Sequence, residues 1–381
     1  MNTDQALRTT AIHRRSFSVP RVATFGLLVS LLVVFLPGGA PAQSTPAATD
    51  PKLQQWLKKF PAADANGDGV LTESEARAYK KSGKQAKSAK KTEAGSGGAA
   101  ATQAGISYGP HARNLLDFWR AKSDRPTPVL IFFHGGSFKA GDKSMVQTRP
   151  VFKECLSAGI SIISANYRFS SDAPFPAQMH DGARAVQFVR AKAKEWNLDP
   201  ARIALSGSSA GATLALWITL HDDLADPSSA DPVARLSTRV TCASPHSGTA
   251  GLEAEYFKQQ AGVTKLGAAL WQLFGAASQA ELEAPEKRAL MREASPLRHA
   301  THDDPPLFLT YAGDPAEAPF AAGAAQSAWI HHVCLGLPLQ ARYNELGIEC
   351  ELFSGVRPAP AGAEIAFLKR HLLGAAGTTR R

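Results

Sequence analysis

The chain has 381 residues, a net charge of +9 and 44% hydrophobic residues, which allows one large domain and a small addition. The positive excess sits at the front: residues 1–105 carry 14 Lys and Arg against 7 Asp and Glu, and the remainder is close to neutral. With no nucleic-acid-binding motif and no basic surplus on the large part, no nucleic-acid partner is expected. The four cysteines, Cys155, Cys242, Cys334 and Cys350, form no C-x-x-C pair, which argues against zinc-ribbon and thioredoxin-type chemistry.

In chain order, Arg8, Arg14, Arg15 and Arg21 precede a mostly apolar run over 22–36. Pro37-Gly38-Gly39 breaks the run, and Ala40-Pro41-Ala42 offers an A-x-A cleavage site. Residues 1–42 are expected to be a signal peptide. The protein is then expected to be exported, periplasmic or extracellular, and membrane-anchored if the leader is retained, although the run is short for a span.

Residues 43–82 read as a small helical calcium module. Leu53, Trp56, Leu57 and Phe60 fall at helical spacing, with Pro61 to end the helix. The twelve residues 64–75 resemble the EF-hand loop. Asp64, Asn66 and Asp68 supply oxygens at positions 1, 3 and 5, and Gly69 stands at the sharp turn. Val70 offers a carbonyl, Thr72 sits at the ninth position, and Glu75 closes the loop with two carboxylate oxygens. Hard oxygen donors in a flexible ring suit Ca²⁺ in a structural role. Residues 83–105 read as a flexible basic linker, in a lysine-rich stretch that starts at Lys80. It is either simply solvated or an attachment to a cell surface or polysaccharide.

Residues 106–381 alternate apolar runs with helical segments. Strands are expected at 129–133, 160–165, 203–206, 240–243, 307–311 and 350–353. Several are apolar throughout, as for parallel strands covered on both faces. Val186, Val189, Ala193 and Trp196 mark a helix by their spacing. The pattern defines an α/β protein with a mostly parallel central sheet covered by helices.

Two motifs carry chemistry. His134-Gly135-Gly136 ends the 129–133 run, and Gly207-Ser208-Ser209-Ala210-Gly211 lies between the 203–206 run and a helical segment beginning at Ala212. That is the context of a G-x-S-x-G nucleophile elbow. Ser209 is the expected nucleophile, and the N–H groups of Gly135, Gly136 and Ala210 are the expected oxyanion donors. His134 is expected to prop its loop.

Together with Leu116-Asp117-Phe118-Trp119, Gly141-Asp142-Lys143, Asn166-Tyr167-Arg168, Pro176-Ala177-Gln178 and Pro305-Pro306-Leu307, these motifs resemble the α/β-hydrolase fold. The likeness is to esterases and lipases of the carboxylesterase and hormone-sensitive-lipase-like group, including those related to feruloyl esterases. It implies attack by serine on an ester carbonyl and hydrolysis of the acyl-enzyme, without an organic cofactor. It also implies an acid in the loop after the 307–311 strand, where Asp314 stands, and a histidine after the last strand. Residues 353–360 hold no histidine. A histidine from elsewhere must then serve: His332 first, then His331, with His246 and His180 further candidates. Asp303 and Asp304 read as solvated turn residues.

The expected activity is that of an exported serine carboxylester hydrolase acting on a small ester, including an acylated carbohydrate. The alternative is a catalytically degenerate hydrolase serving as a calcium-dependent binding or docking protein. Residues 252–290 read as a cap segment whose aromatic and leucine side chains either line an acyl pocket or pack as core. The sequence assigns no oligomeric state.

Overall fold

The computed structural model describes residues 51–59, 71, 99–321 and 323–374. The chain divides into two compact units, Met1–Ser96 and Gly97–Arg381. In the first, α1 (Pro51–Lys59) forms where the apolar spacing requires it. Leu53, Trp56 and Leu57 of this helix pack on Leu71, which is buried. The expected calcium ligands Asp64, Asn66, Asp68, Val70, Thr72 and Glu75 lie outside the described residues, as do the expected leader and the linker up to residue 98. The expectation of a membrane-anchored form is corrected: among the described residues no helix is long and apolar enough to cross a membrane.

The second unit is built on eight strands: β1 (Gln103–Ser107), β2 (Leu115–Trp119), β3 (Thr127–Phe133), β4 (Ser161–Ala165), β5 (Leu198–Ser208), β6 (Cys242–His246), β7 (Leu307–Thr310) and β8 (Cys350–Phe353). They form one sheet in the order β1-β2-β4-β3-β5-β6-β7-β8. β1 and β2 run antiparallel, and every pair from β4 to β8 is parallel. This is the α/β-hydrolase arrangement.

Each parallel strand serves two cores because successive side chains point to opposite faces. Val129, Ile131 and Phe133 of β3 join Ile163, Ile203 and Leu205 on one face. There they meet α3 (Ala177–Trp196) and α4 (Ala210–Leu220) through Val186, Val189 and Leu214. Leu130 and Phe132 face the other side with Ile162, Ala204 and Phe308. That side is covered by α2 (Pro150–Ser157) and, later in the chain, by the helix 363–372. All eleven residues of α4 are buried, so this helix is apolar around its whole circumference.

Three expectations change. Gln103–Ser107, in part assigned to the linker, is an edge strand paired with β2. The strand expected at 240–243 is displaced to Cys242–His246, which carries Ser244, Pro245 and His246 into the sheet. Asp199-Pro200, a pair that by sequence favours a turn, is a bulge within β5: Thr127 pairs with Leu198 and Val129 with Ile203, and the extra residues loop out to solvent.

The cap segment contributes α5 (Ala254–Ala261), α6 (Ala268–Leu273) and α7 (Pro285–Glu293). After β7 come α8 (Gln326–Trp329) and α9 (Leu337–Leu346), and α10 (Ala363–Leu372) ends the described chain.

Candidate active site

The carboxyl ends of β3, β5, β6 and β7 converge at one edge of the sheet, the usual ligand edge of an open α/β sheet. At the end of β5 the chain reverses into α4 through Ser209, whose φ of 53° and ψ of −119° lie in a region that only tight packing maintains. Two glycines make that turn possible. A Cβ on Gly207 would collide with Gly211 O, and one on Gly211 with the carbonyls of Phe133 and His134. The elbow therefore fits only because strand, helix and the loop after β3 touch through backbone alone. Ser209 N–H donates to His246 O at 2.9 Å, and its own carbonyl accepts from Thr213 N–H at 3.0 Å.

The loop after β3 is held by the motif residues around it. The His134 ring is fully buried and stacks on Tyr167 at 4.4 Å. Arg113 Nη2 lies 3.4 Å from its Nε2, and a guanidinium only donates. Nδ1–H then donates to Gly135 O at 2.8 Å. Burial pushes this imidazole down to about 4, so it is a neutral prop, as expected. Tyr167 O–H donates to His134 O at 2.6 Å. Asn166 accepts from Lys143 N–H and donates to Asp142, while Lys143 pairs with Asp117 at 2.8 Å. Arg168 grips Asp181 through both carboxylate oxygens. Several of these pairs hold the loop after β3 in place. A Cβ on Gly135 would lie 2.9 Å from Ser208 O and 3.4 Å from Ser209 Cβ, which measures the closeness of that fit.

The structure brings one imidazole to the nucleophile. His331 Nε2 is 2.9 Å from Ser209 Oγ, within hydrogen-bond reach for proton transfer. Desolvation lowers this histidine below its ordinary value, so the ring is neutral at pH 7 and able to accept a proton. His332, the first choice from sequence, points elsewhere. It is buried beneath Gly313, packs edge-on to Phe320 at 4.9 Å, and accepts from Cys334 N–H through Nδ1. The reason is local. Ala312 forms a parallel bridge with His332, Ala312 N–H donates to His331 O, and Val333 N–H donates to Ala312 O. His331 lies in the turn after residues 326–329 and His332 caps the turn Val333–Leu335, so the two rings diverge and only that of His331 meets the serine.

Asp314 is not the partner of that base. Its carboxylate caps the turn Pro315–Glu317 by accepting from Ala316 N–H at 2.9 Å. Among the described residues no carboxylate hydrogen-bonds or ion-pairs with His331. His246 is also occupied: its Nδ1 meets Thr310 Oγ1 at 2.7 Å and its Nε2 meets Glu364 at 2.9 Å. His180 lies by Trp217 on the flank of α4.

Ser209 and Ala210 open onto an apolar pocket of ≈ 70 Å³. Phe257, Leu266, Leu270 and Leu273 from the cap line it with Trp329 and Ile330, the latter just ahead of the base. The cap residues thus divide. Tyr256 and Phe274 are core, Tyr256 donating to Leu335 O at 2.8 Å. Ser137 and Phe138, which the sequence did not single out, also line the pocket and turn the loop with φ of 54° and 58°.

Fold and site define an α/β-hydrolase of the esterase and lipase superfamily, with a serine elbow facing a histidine. A family model described as BD-FAE matches residues 116–320, more than half of the chain, and the chain belongs to that family. It is similar to Esterase LipQ of Mycobacterium tuberculosis, with 29% identity over 245 residues, covering 60% of this chain and 52% of that protein. The chain spans about half the length of the curated relatives it matches. Among solved structures it shares its fold with a bifunctional GH43-CE of Bacteroides eggerthii, at 21% identity and a TM-score of 0.57, covering 71% of this chain and 38% of that one. A truncated carbohydrate esterase from gut microbiota aligns at 17% identity and a TM-score of 0.55, covering 72% of this chain and 97% of that one.

Proposed function

We propose that the protein is a serine carboxylester hydrolase whose nucleophile is Ser209 and whose general base is His331. The observation that carries this is the 2.9 Å approach of His331 Nε2 to Ser209 Oγ at the mouth of an apolar pocket. His331 takes the hydroxyl proton as Oγ attacks the ester carbonyl carbon. The oxyanion is received by Ala210 N–H, which as the first residue of α4 has no intrahelical acceptor, and by the Gly135-Gly136 loop. The imidazolium then returns its proton to the departing alcohol, and water releases the acid from Ser209 by the same steps. A pocket of this size suits a short acyl group. Acylated carbohydrates belong among the substrates to test, since a protein of like fold is described as a carbohydrate esterase.

Wild-type protein is expected to cleave p-nitrophenyl acetate and butyrate, and Ser209→Ala to fall to background. If neither protein turns over any ester, the docking reading takes its place.

We also infer that the loop 64–75 binds Ca²⁺ through Asp64, Asn66, Asp68, Val70, Thr72 and Glu75, in a structural role. What supports this reading is the run of oxygen donors at positions 1, 3, 5, 7, 9 and 12, with Leu71 of the same stretch buried against α1. Calorimetric titration of the whole chain with Ca²⁺ should show heat that Asp64→Ala abolishes, whereas identical traces would refute the assignment.

A further inference from the structure

We propose that His221, Glu293 and His299 form a site for a divalent transition metal, Zn²⁺ by the nature of its donors, remote from the serine. The three ligand atoms lie within 4.8 Å of one another. His221 caps the C-terminus of α4, Glu293 ends α7, and His299 ends the turn Pro296–His299. His221 Nε2 is 3.1 Å from Glu293 Oε1, and His299 Nε2 is 3.9 Å from the same oxygen. Ligand atoms around a tetrahedral Zn²⁺ at metal–ligand distances of about 2.0–2.1 Å sit roughly 3.3 Å apart. The observed separations straddle that value.

The hydrogen bonds of His221 already follow the pattern of a metal site. His221 Nδ1 is 3.0 Å from the Asp222 carbonyl, which fixes the proton of the neutral ring on Nδ1. The Nε2 lone pair is then turned onto a carboxylate oxygen. Two acceptors at that separation repel unless a proton or a cation lies between them. A carbonyl on the far nitrogen is also what orients a metal-bound imidazole. His299 Nε2 meets Glu293 O at 2.7 Å and must surrender that bond to coordinate. Glu293 O stays satisfied, because Trp217 Nε1–H donates to it at 2.9 Å. Two imidazoles and one carboxylate without thiolate favour Zn²⁺ over Ca²⁺ or Mg²⁺, which take oxygen shells. Glu293 is half exposed, which leaves the fourth position to water.

The metal would tie the helix that begins at the nucleophile to the segment joining the cap to β7. The twelve residues from Ser209 to His221 span about 18 Å along a helix, so the metal takes no part in ester cleavage. The site stands whether or not the esterase reading does.

The test uses tag-free, full-length protein, stripped with chelator, saturated with CaCl₂ to fill the loop 64–75, then loaded with ZnCl₂ and desalted. About one zinc per chain is expected in the wild type by atomic spectroscopy, and none in the double variant His221→Asn/His299→Asn. Zinc should raise the unfolding midpoint of the wild type only, and each single variant should weaken binding at least tenfold. Ester hydrolysis by the double variant should be unchanged. Co²⁺ in the wild type reads the geometry without any variant: intense visible bands of a tetrahedral site are expected. Equal zinc retention by wild type and double variant, or a weak six-coordinate cobalt spectrum, overturns the proposal.

Discussion

Replacing His331 by Ala removes the one imidazole that, among the described residues, lies within reach of Ser209 Oγ, and leaves the elbow and oxyanion loop untouched. A positioned general base contributes about 10²–10⁴-fold, and loss of one triad member costs on the order of 10⁴-fold where a buried carboxylate supports the ring. His331 has no such carboxylate among the described residues, so the expected fall in kcat/KM is about 10²–10³-fold, or roughly 3–4 kcal/mol of transition-state stabilisation. The matched control is His332→Asn. That ring fills the space under Gly313 and against Phe320, and its removal is expected to cost about 1–3 kcal/mol of stability through lost packing. Its kcat per folded molecule should stay within about threefold of wild type. The assay is p-nitrophenyl acetate hydrolysis from pH 6 to 9, with active sites counted by a serine-directed phosphonate and urea midpoints measured alongside. Retention of more than a tenth of wild-type kcat/KM by His331→Ala would refute the assignment. So would a His332→Asn enzyme that folds normally yet loses as much kcat.

Three further outcomes follow from the same geometry. The free-enzyme kcat/KM should rise with pH and level off, since the neutral imidazole is the active form; because desolvation lowers His331, the half-rise should fall below the ordinary value of about 6.5, and a half-rise above 7 would contradict it. Gly211→Ala sets a methyl group against the carbonyls of Phe133 and His134; a loss of about 3 kcal/mol in stability and of nearly all activity is expected from urea unfolding and turnover. Asp304 is 5% exposed and burial pushes its carboxyl up to about 6, despite the Thr301 N–H it accepts and Arg239 at 3.9 Å. A folded-state value above the unfolded one means that stability is fullest below pH 4 and falls as pH rises through 6, by at most roughly 3 kcal/mol. Asp304→Asn should flatten that fall in urea midpoints taken from pH 4 to 7.5.

Much of the large unit was legible because its signals are redundant. Continuous apolar runs at 129–133 and 307–310 can only be strands covered on both faces, and the glycines of the elbow have no cheaper explanation than close backbone approach. What escaped reading is set by tertiary partners. β1 is nearly all exposed and owes its existence to pairing with β2. Asp304 looks like a turn residue, yet the fold buries it. The choice between His331 and His332 is set where one turn gives way to the next, between residues 326–329 and Val333–Leu335, and composition on either side of the pair is silent about which ring meets the serine. The bridge between Ala312 and His332 decides it, and that bridge joins residues twenty positions apart.

The same bridge fixes the segment that supplies the base against the extension of β7. Gly355 N–H, from the loop after β8 where the resemblance places the histidine, donates to Gly313 O at 2.9 Å. That loop and the 331–333 segment therefore both abut the extension of β7, one on each flank. The carboxylate of a triad normally orients the ring and stabilises the imidazolium. Here the first task falls to backbone: the His331 carbonyl and the Val333 amide are both fixed to Ala312, so the segment cannot turn without breaking two hydrogen bonds. Among the described residues no carboxylate performs the second task. The site should thus keep a well-placed serine–histidine pair while transferring protons less readily than a full triad. Its signature is ester turnover slower than a full triad gives, with phosphonylation at Ser209 slowed in step because it draws on the same proton transfer.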